Sequence, residues 1–295
     1  MNDAERFNEI MVHHDENPVE ASEKLRELWP DRVADRDRPR ASQLINHLFG
    51  EKLGRWQEAD RLLRELGNGD TRRAIVRSQA IAALLSGYPL DSWQAENRLL
   101  AAPECTRSQA SLVVRLGVLE HLVATAAIEK TVTALLHFLT EIAAWSNYGP
   151  HADLLAGSLN NLLSTLLERA DAPTQEPDYQ EALNEGAKVC SRLWAVAGTW
   201  ANQERAEYLV ALCANKTGRF VDARNAAQCG LEIIDNGGEA QPVDRAFLLL
   251  ELSRACSGLN DSAKSERARA DAFRIAKEFK NPSIQQWFEK RAGLT

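Results

Sequence analysis

The six histidines are where chemistry would first be sought, because imidazole binds metals and moves protons near neutral pH. His13-His14-Asp15 sets three potential ligands in a row at a helix end near the N-terminus. His47 and Glu51 are four residues apart, as are His137 and Glu141, so each pair shares a helix face. Either pair could supply two metal ligands, or a base and the carboxylate that orients it. Neither is the His-Glu-x-x-His arrangement that holds zinc on a helix. Solvated side chains are therefore the expectation at all three places, with no metal. The chain has no glycine-rich phosphate loop, no nucleophile elbow and no carboxylate pair in a diagnostic setting. No catalytic residue and no cofactor are expected, and the chain reads as a non-enzyme.

Cysteine usage points the same way. Cys190, Cys213, Cys229 and Cys256 sit in apolar helical context, Cys105 falls in a loop, and no two are spaced as Cys-x-x-Cys. Five reduced thiols, mostly buried, are expected in place of a disulfide or zinc framework. The net charge of −7 argues against nucleic acid, whose phosphates need a basic face. No apolar run approaches the roughly 20 residues that span a bilayer, so no membrane partner is expected. The start, Met1-Asn2-Asp3-Ala4-Glu5, lacks the basic and apolar stretches of a signal peptide, and a cytoplasmic location is the expectation. Charge is uneven. Residues 1–30 hold eight acids and three bases, residues 141–186 eight acids and one base, and residues 261–291 eight bases and five acids.

The elements that must position any site are helices. Leu112, Leu116, Leu119 and Val123 recur at helical spacing, as do Val132, Leu135, Leu136, Leu139 and Ile142, and Leu155, Leu159, Leu162, Leu163 and Leu166. No period-2 strand is present. Start signals divide the helices: Asn17-Pro18 with Glu20, Thr106 with Gln109, Asp91 with Gln94, and Asn281-Pro282. The expected pairs are 3–14 with 18–28, 40–53 with 55–66, 72–86 with 92–101, 107–125 with 128–145, 150–168 with 178–196, 200–217 with 220–235, and 242–257 with 261–279. A mixed-charge linker is expected over 31–40 and a Pro-rich acidic loop over 171–178. A last helix over 282–291, with Ile284, Trp287 and Phe288 on one side, is expected to cap the end of the stack.

A short pattern recurs across these pairs. Its clearest copies are Gly54-Arg55-Trp56-Gln57-Glu58-Ala59 and Gly218-Arg219-Phe220-Val221-Asp222-Ala223. Aligned on the closing Ala, further copies end at Ala21, Ala95, Ala134, Ala182 and Ala263, with gaps of 38, 36, 39, 48, 41 and 40 residues. A helical period near 40 residues marks a repeat array. The Gly marks a turn, the ring three residues before the Ala can pack on the preceding helix, and the small Ala lets paired helices approach. This punctuation resembles the tetratricopeptide repeat family over most of the chain. Units ending at Ala95, Ala134 and Ala263 depart from it, with Ser92, Thr131 and Asn260 in place of the aromatic, and Pro18 stands there in the first unit. The resemblance implies one all-α domain over 1–295: a right-handed α-solenoid of about seven antiparallel helix pairs with a C-terminal capping helix.

It also implies a concave groove lined by the first helix of each pair. In that register Arg77, Arg205, Arg245, Lys52, Lys216, Tyr208 and Asn215 face inward as candidate partner-binding residues. Leu44, Leu48, Leu212, Leu248 and Leu252 stand where the family's carboxylate-clamping repeats carry Lys and Asn, so that clamp is not expected. The expectation is a module that binds a protein or peptide, with Leu anchors and basic residues selecting acidic segments. The alternatives are a regulatory sensor for a small molecule or signalling peptide that acts through another protein, and an enzyme on a helical scaffold.

Overall fold

A computed structural model describes residues 2–67, 69–237 and 241–294; the expected domain limits at residues 1 and 295 lie outside them. The described residues form fifteen α-helices and no strand. These are α1 (Asp3–His13), α2 (Pro18–Leu28), α3 (Arg38–Ile45), α4 (Trp56–Arg64), α5 (Arg73–Leu85), α6 (Pro89–Leu99), α7 (Arg107–Leu122) and α8 (Ile128–Ala143). They continue with α9 (Ala152–Glu168), α10 (Pro177–Ala197), α11 (Trp200–Lys216), α12 (Phe220–Asn236), α13 (Pro242–Gly258), α14 (Ser262–Ala276) and α15 (Pro282–Arg291). Among the described residues no helix is long and apolar enough to cross a membrane.

The helix starts follow local chemistry. Asn2 and Glu5 close a capping box on α1, Asn17 accepts from the Glu20 N–H at the start of α2, and Thr106 and Gln109 box α7. The Asn202 side-chain oxygen accepts from the Thr199 N–H at 3.0 Å and sets the start of α11. Asp91 is not a cap: α6 begins earlier, with Pro89 in its first turn, and Asp91 lies inside it, bonded to Arg64 at 2.7 Å. The segment expected as helix 40–53 is α3 followed by a π-helical turn, Asn46–Lys52. There the Leu53 N–H reaches Leu48 O at 3.1 Å, five residues back. Residues 31–40 are less open than a linker: Val33 is buried, Asp35–Asp37 forms a 3-10 turn, and α3 starts at Arg38. Near the acidic loop, Arg169 forks onto Asp171 at 2.8 and 2.6 Å, and Pro177 already opens α10.

Two compact units divide the chain. One comprises Met1–Ala126 and Trp145–Ser158, the other Ala127–Ala144 and Leu159–Thr295, so α9 contributes to both. In the first, α1 packs on α2, α4 and α6 on α5, and α5 on α7. Its core joins Phe7, Leu25, Leu28, Leu44, Leu48, Phe49 and Leu63, and the Trp29 indole N–H donates to Leu62 O at 2.8 Å. In the second, α10 packs on α8 and α11, α11 on α12, α12 on α13, and α13 on α14, with α11 also touching α13. Each unit thus packs adjacent helices pairwise, as helical repeats do.

The repeat positions do much of this joining. Ala21, Ala59, Ala95, Ala182 and Ala223 are buried, Ala134 is half-buried and Ala263 is exposed. Ala223 meets Ala214 of α11 and Ala255 of α13, so three helices converge on methyl groups. The aromatics divide. Trp56 lies on Gly50 of the preceding helical segment, where a Cβ would stand 2.3 Å from the ring. Tyr179 donates to Leu166 O of α9 at 2.9 Å. Phe220 lies on Gly258 of α13, the following helix, where a Cβ would stand 2.4 Å from the ring. Ala59→Leu and Ala223→Leu should each overpack a close contact and cost about 1–3 kcal/mol in chemical denaturation. Ala263→Leu should change stability by no more than about 0.5 kcal/mol. Equal stability of all three variants with the parent would refute the assignment of Ala59 and Ala223 as helix-contact positions.

Candidate functional site

Four helices of the second unit each contribute one stripe to a cavity of about 280 Å³. From α9 come Asn160, Ser164 and Glu168, four residues apart. From α11 come Glu204, Arg205, Tyr208, Leu209 and Leu212; from α13, Asp244 and Phe247; from α15, Trp287 and Arg291. The last described helix is thus a wall of the cavity. Its Phe288 is fully buried against Phe247, Phe273 and Phe279, with ring centroids 5.4–5.8 Å away. That anchor leaves Trp287, 42% exposed, stacked 4.3 Å from Phe247 at the cavity. Tyr208 meets Phe247 edge-on at 6.1 Å and completes an aromatic wall.

The charges at this wall are mostly matched. Arg205 reaches Asp244 Oδ2 at 3.1 and 3.3 Å, and Arg291 reaches Glu168 at 3.2 Å. Glu204 is the exception. Its side chain is fully buried, and neither carboxyl oxygen receives a hydrogen bond. The nearest cation is the Arg205 Nε, 3.5 Å from Oε1, and that guanidinium is committed to Asp244. Burial, with Asp244 beside it, pushes the Glu204 carboxyl up to about 8. The Tyr208 hydroxyl also lacks a partner, and burial raises it. A buried phenol without a partner is costly to keep, and the protonated Glu204 carboxyl has only Asp244 to donate to. Together they form a polar floor under an aromatic wall, with the acid able to accept a cation or a donated hydrogen bond.

The residues expected to line a groove are placed differently from one another. Arg205 and Tyr208 line this cavity. Asn215 donates to Glu251 Oε2 at 2.8 Å and to Glu251 O at 2.9 Å, tying α11 to α13. Arg245 is bonded to Asp235, and Lys216 is exposed at the end of α11. In the first unit, Arg77 is buried, donating to Glu120 at 2.8 Å, to Val113 O at 3.3 Å and to Ser158. Lys52 is bonded to Asp15 at 2.8 Å. Four of the five expected basic residues are thus engaged with acids. The expected Leu floor is partial: Leu212 lines the cavity, whereas Leu44, Leu48 and Leu248 are core.

Glu204, Asp244, Glu168, Trp287 and Arg291 were outside the sequence-based expectation. Glu204 and Asp244 directly precede Arg205 and Arg245 in the chain. An acid beside an arginine on a helix reads as solvated, and only tertiary packing removes Glu204 from water. Cys190, Cys213 and Cys256 are buried and in no disulfide, as expected, but Cys229 is exposed, because its position on α12 faces outward.

Glu204 makes stability depend on pH. Its ordinary value in an unfolded chain is about 4.3, and in the fold it is about 8. Between these the folded chain holds the extra proton, so stability falls as pH rises from about 4.5 to about 8. Glu204→Gln should match the parent near pH 4 and exceed it increasingly toward pH 8 in melting temperature. A gap that does not change with pH would contradict a raised Glu204.

No protein-family model and no curated protein matches this chain, so a functional reading rests on the geometry of the site.

Proposed function

We propose that this chain is a non-enzymatic interaction module whose second-unit cavity receives a basic side chain from a partner protein or peptide. The observation that carries this reading is the fully buried Glu204 carboxyl, which has no hydrogen-bond donor, under the wall of Tyr208, Phe247 and Trp287. A guanidinium or ammonium entering there would supply the missing donor. The rings would add cation–π attraction of about 0.5–2 kcal/mol. Selection of acidic segments has less support, since Arg77, Arg205, Arg245 and Lys52 are already paired with acids. In this reading the array is tetratricopeptide-like, a right-handed solenoid of about seven pairs closed by α15, and it works in the cytoplasm. The adjacent pairwise packing and the recurring small Ala contacts support that extension.

A second reading has one observation in its favour. At about 280 Å³ the cavity is near the small end of ligand pockets. A free cationic metabolite could therefore fill it, which would make the chain a sensor acting through another protein.

Short peptides that differ only in a central Arg, Lys, Gln or Glu separate these readings by calorimetry on the full chain. Arg- and Lys-centred peptides should bind, and the Gln and Glu versions should not. Glu204→Gln should weaken binding by about tenfold or more, since a charge-assisted hydrogen bond contributes about 1.5–3 kcal/mol. Affinity should rise as pH approaches about 8, where Glu204 ionises. A preference for Glu-centred peptides, or indifference to Glu204→Gln, would overturn the proposal. Arginine amide binding as tightly as the peptides would favour the sensor.

A further inference from the structure

The first unit brings together histidines that the sequence keeps apart. His14 and Asp15 lie in the turn between α1 and α2, and His47 lies on the π-helical turn. One potential ligand atom from each lies within 4.8 Å of the others. The His14 and His47 rings stand edge to face at 5.2 Å. His13 is not part of this group; it turns to Glu16 at 3.1 Å.

Hydrogen bonds fix how the two rings are presented. His14 Nδ1 lies 3.0 Å from Met11 O, and a carbonyl can only accept, so Nδ1 carries the proton. His47 Nδ1 lies 3.1 Å from Glu51 Oε2 and donates to that carboxylate. In the neutral rings both Nε2 atoms are therefore bare lone pairs. Both point at one carboxylate: His47 Nε2 is 3.3 Å from Asp15 Oδ1, and His14 Nε2 is 3.6 Å from Asp15 Oδ2. Lone pairs facing a carboxylate repel unless a proton or a metal cation lies between them. The edge of a tetrahedron with metal–ligand bonds of about 2.1 Å is about 3.4 Å, close to both separations.

We propose that His14, His47 and Asp15 form a binding site for a divalent transition-metal ion of the zinc class. Two imidazoles and one carboxylate are a donor set that suits zinc, cobalt or nickel better than calcium or magnesium. Three protein ligands leave a fourth position for water or an exogenous group. Glu51 is a positioning residue. It holds His47 from behind and is itself held by His121 Nδ1 at 3.1 Å, and His121 rests edge-on against Trp56 at 5.4 Å. Such outer carboxylates orient the ring and strengthen its basicity. Lys52 Nζ, 2.8 Å from Asp15 Oδ1, holds the same carboxylate. Its charge disfavours a tight site, and reversible binding is expected.

Zinc chloride titrated into the metal-free full chain tests this by calorimetry. One ion per chain should bind, and cobalt should give visible d–d absorption of a four-coordinate site. His47→Ala and Asp15→Asn should abolish binding. Asp15 is 62% exposed, so its isosteric change leaves the fold intact, as the helical circular dichroism of the metal-free variant should verify. Glu51→Gln should weaken zinc by about 10–100-fold, while His137→Ala, at an exposed histidine elsewhere, should not alter it. Absence of stoichiometric zinc, or undiminished binding by both His47→Ala and Asp15→Asn, would overturn the site.

Discussion

With no sheet among the described residues, these helices have only their side-chain stripes to hold them together. The governing constraint is how closely neighbouring helices can approach. Where Ala214, Ala223 and Ala255 meet, three helices converge on methyl groups alone. Where Phe220 lies on Gly258, a ring occupies the space that any other residue would need. These small contacts set the spacing of α11, α12 and α13, and that spacing determines what the helices enclose. Larger residues there would move α13 away from α11 and separate Asp244 from Arg205.

The cavity of the second unit is a consequence of this spacing. Glu204 sits on α11 beside Asp244 of α13, with its side chain withdrawn from water. A carboxyl in that position must stay protonated or find a cation. The fold satisfies its neighbours Arg205, Asp244, Glu168 and Arg291 with one another and leaves Glu204 without a donor. Stability gains nothing from such an arrangement. In the proposed reading its use lies in binding, where a ligand would restore what folding left unmatched.

The helices were legible in the sequence because their apolar stripes and caps are local. Expected and observed limits agree within a few residues when α3 is taken with its π-helical turn, and Phe288 of the last helix is buried. Asp91 misled because it resembles a cap, while the nearby Pro89 is the true start signal. The site was less legible because its chemistry is tertiary. Arg77 reads as a solvated charge, yet its partner Glu120 lies 43 residues away and both are withdrawn from water. His14 and His47 are separated by more than thirty residues, and a π-helical turn that no propensity signals brings His47 to Asp15. Periodicity reveals which residues share a face, but not which faces meet.

The role proposed for Glu204 is that of a buried acid awaiting a cation. The most direct measurement is the titration of its side-chain carboxyl carbon by NMR, in the free chain and with an Arg-centred peptide. A midpoint near 8 is expected in the free chain, moving well down when the peptide is bound. A midpoint in the ordinary glutamate range, near 4.3, in the free chain would contradict it, as would a raised midpoint that no basic ligand lowers.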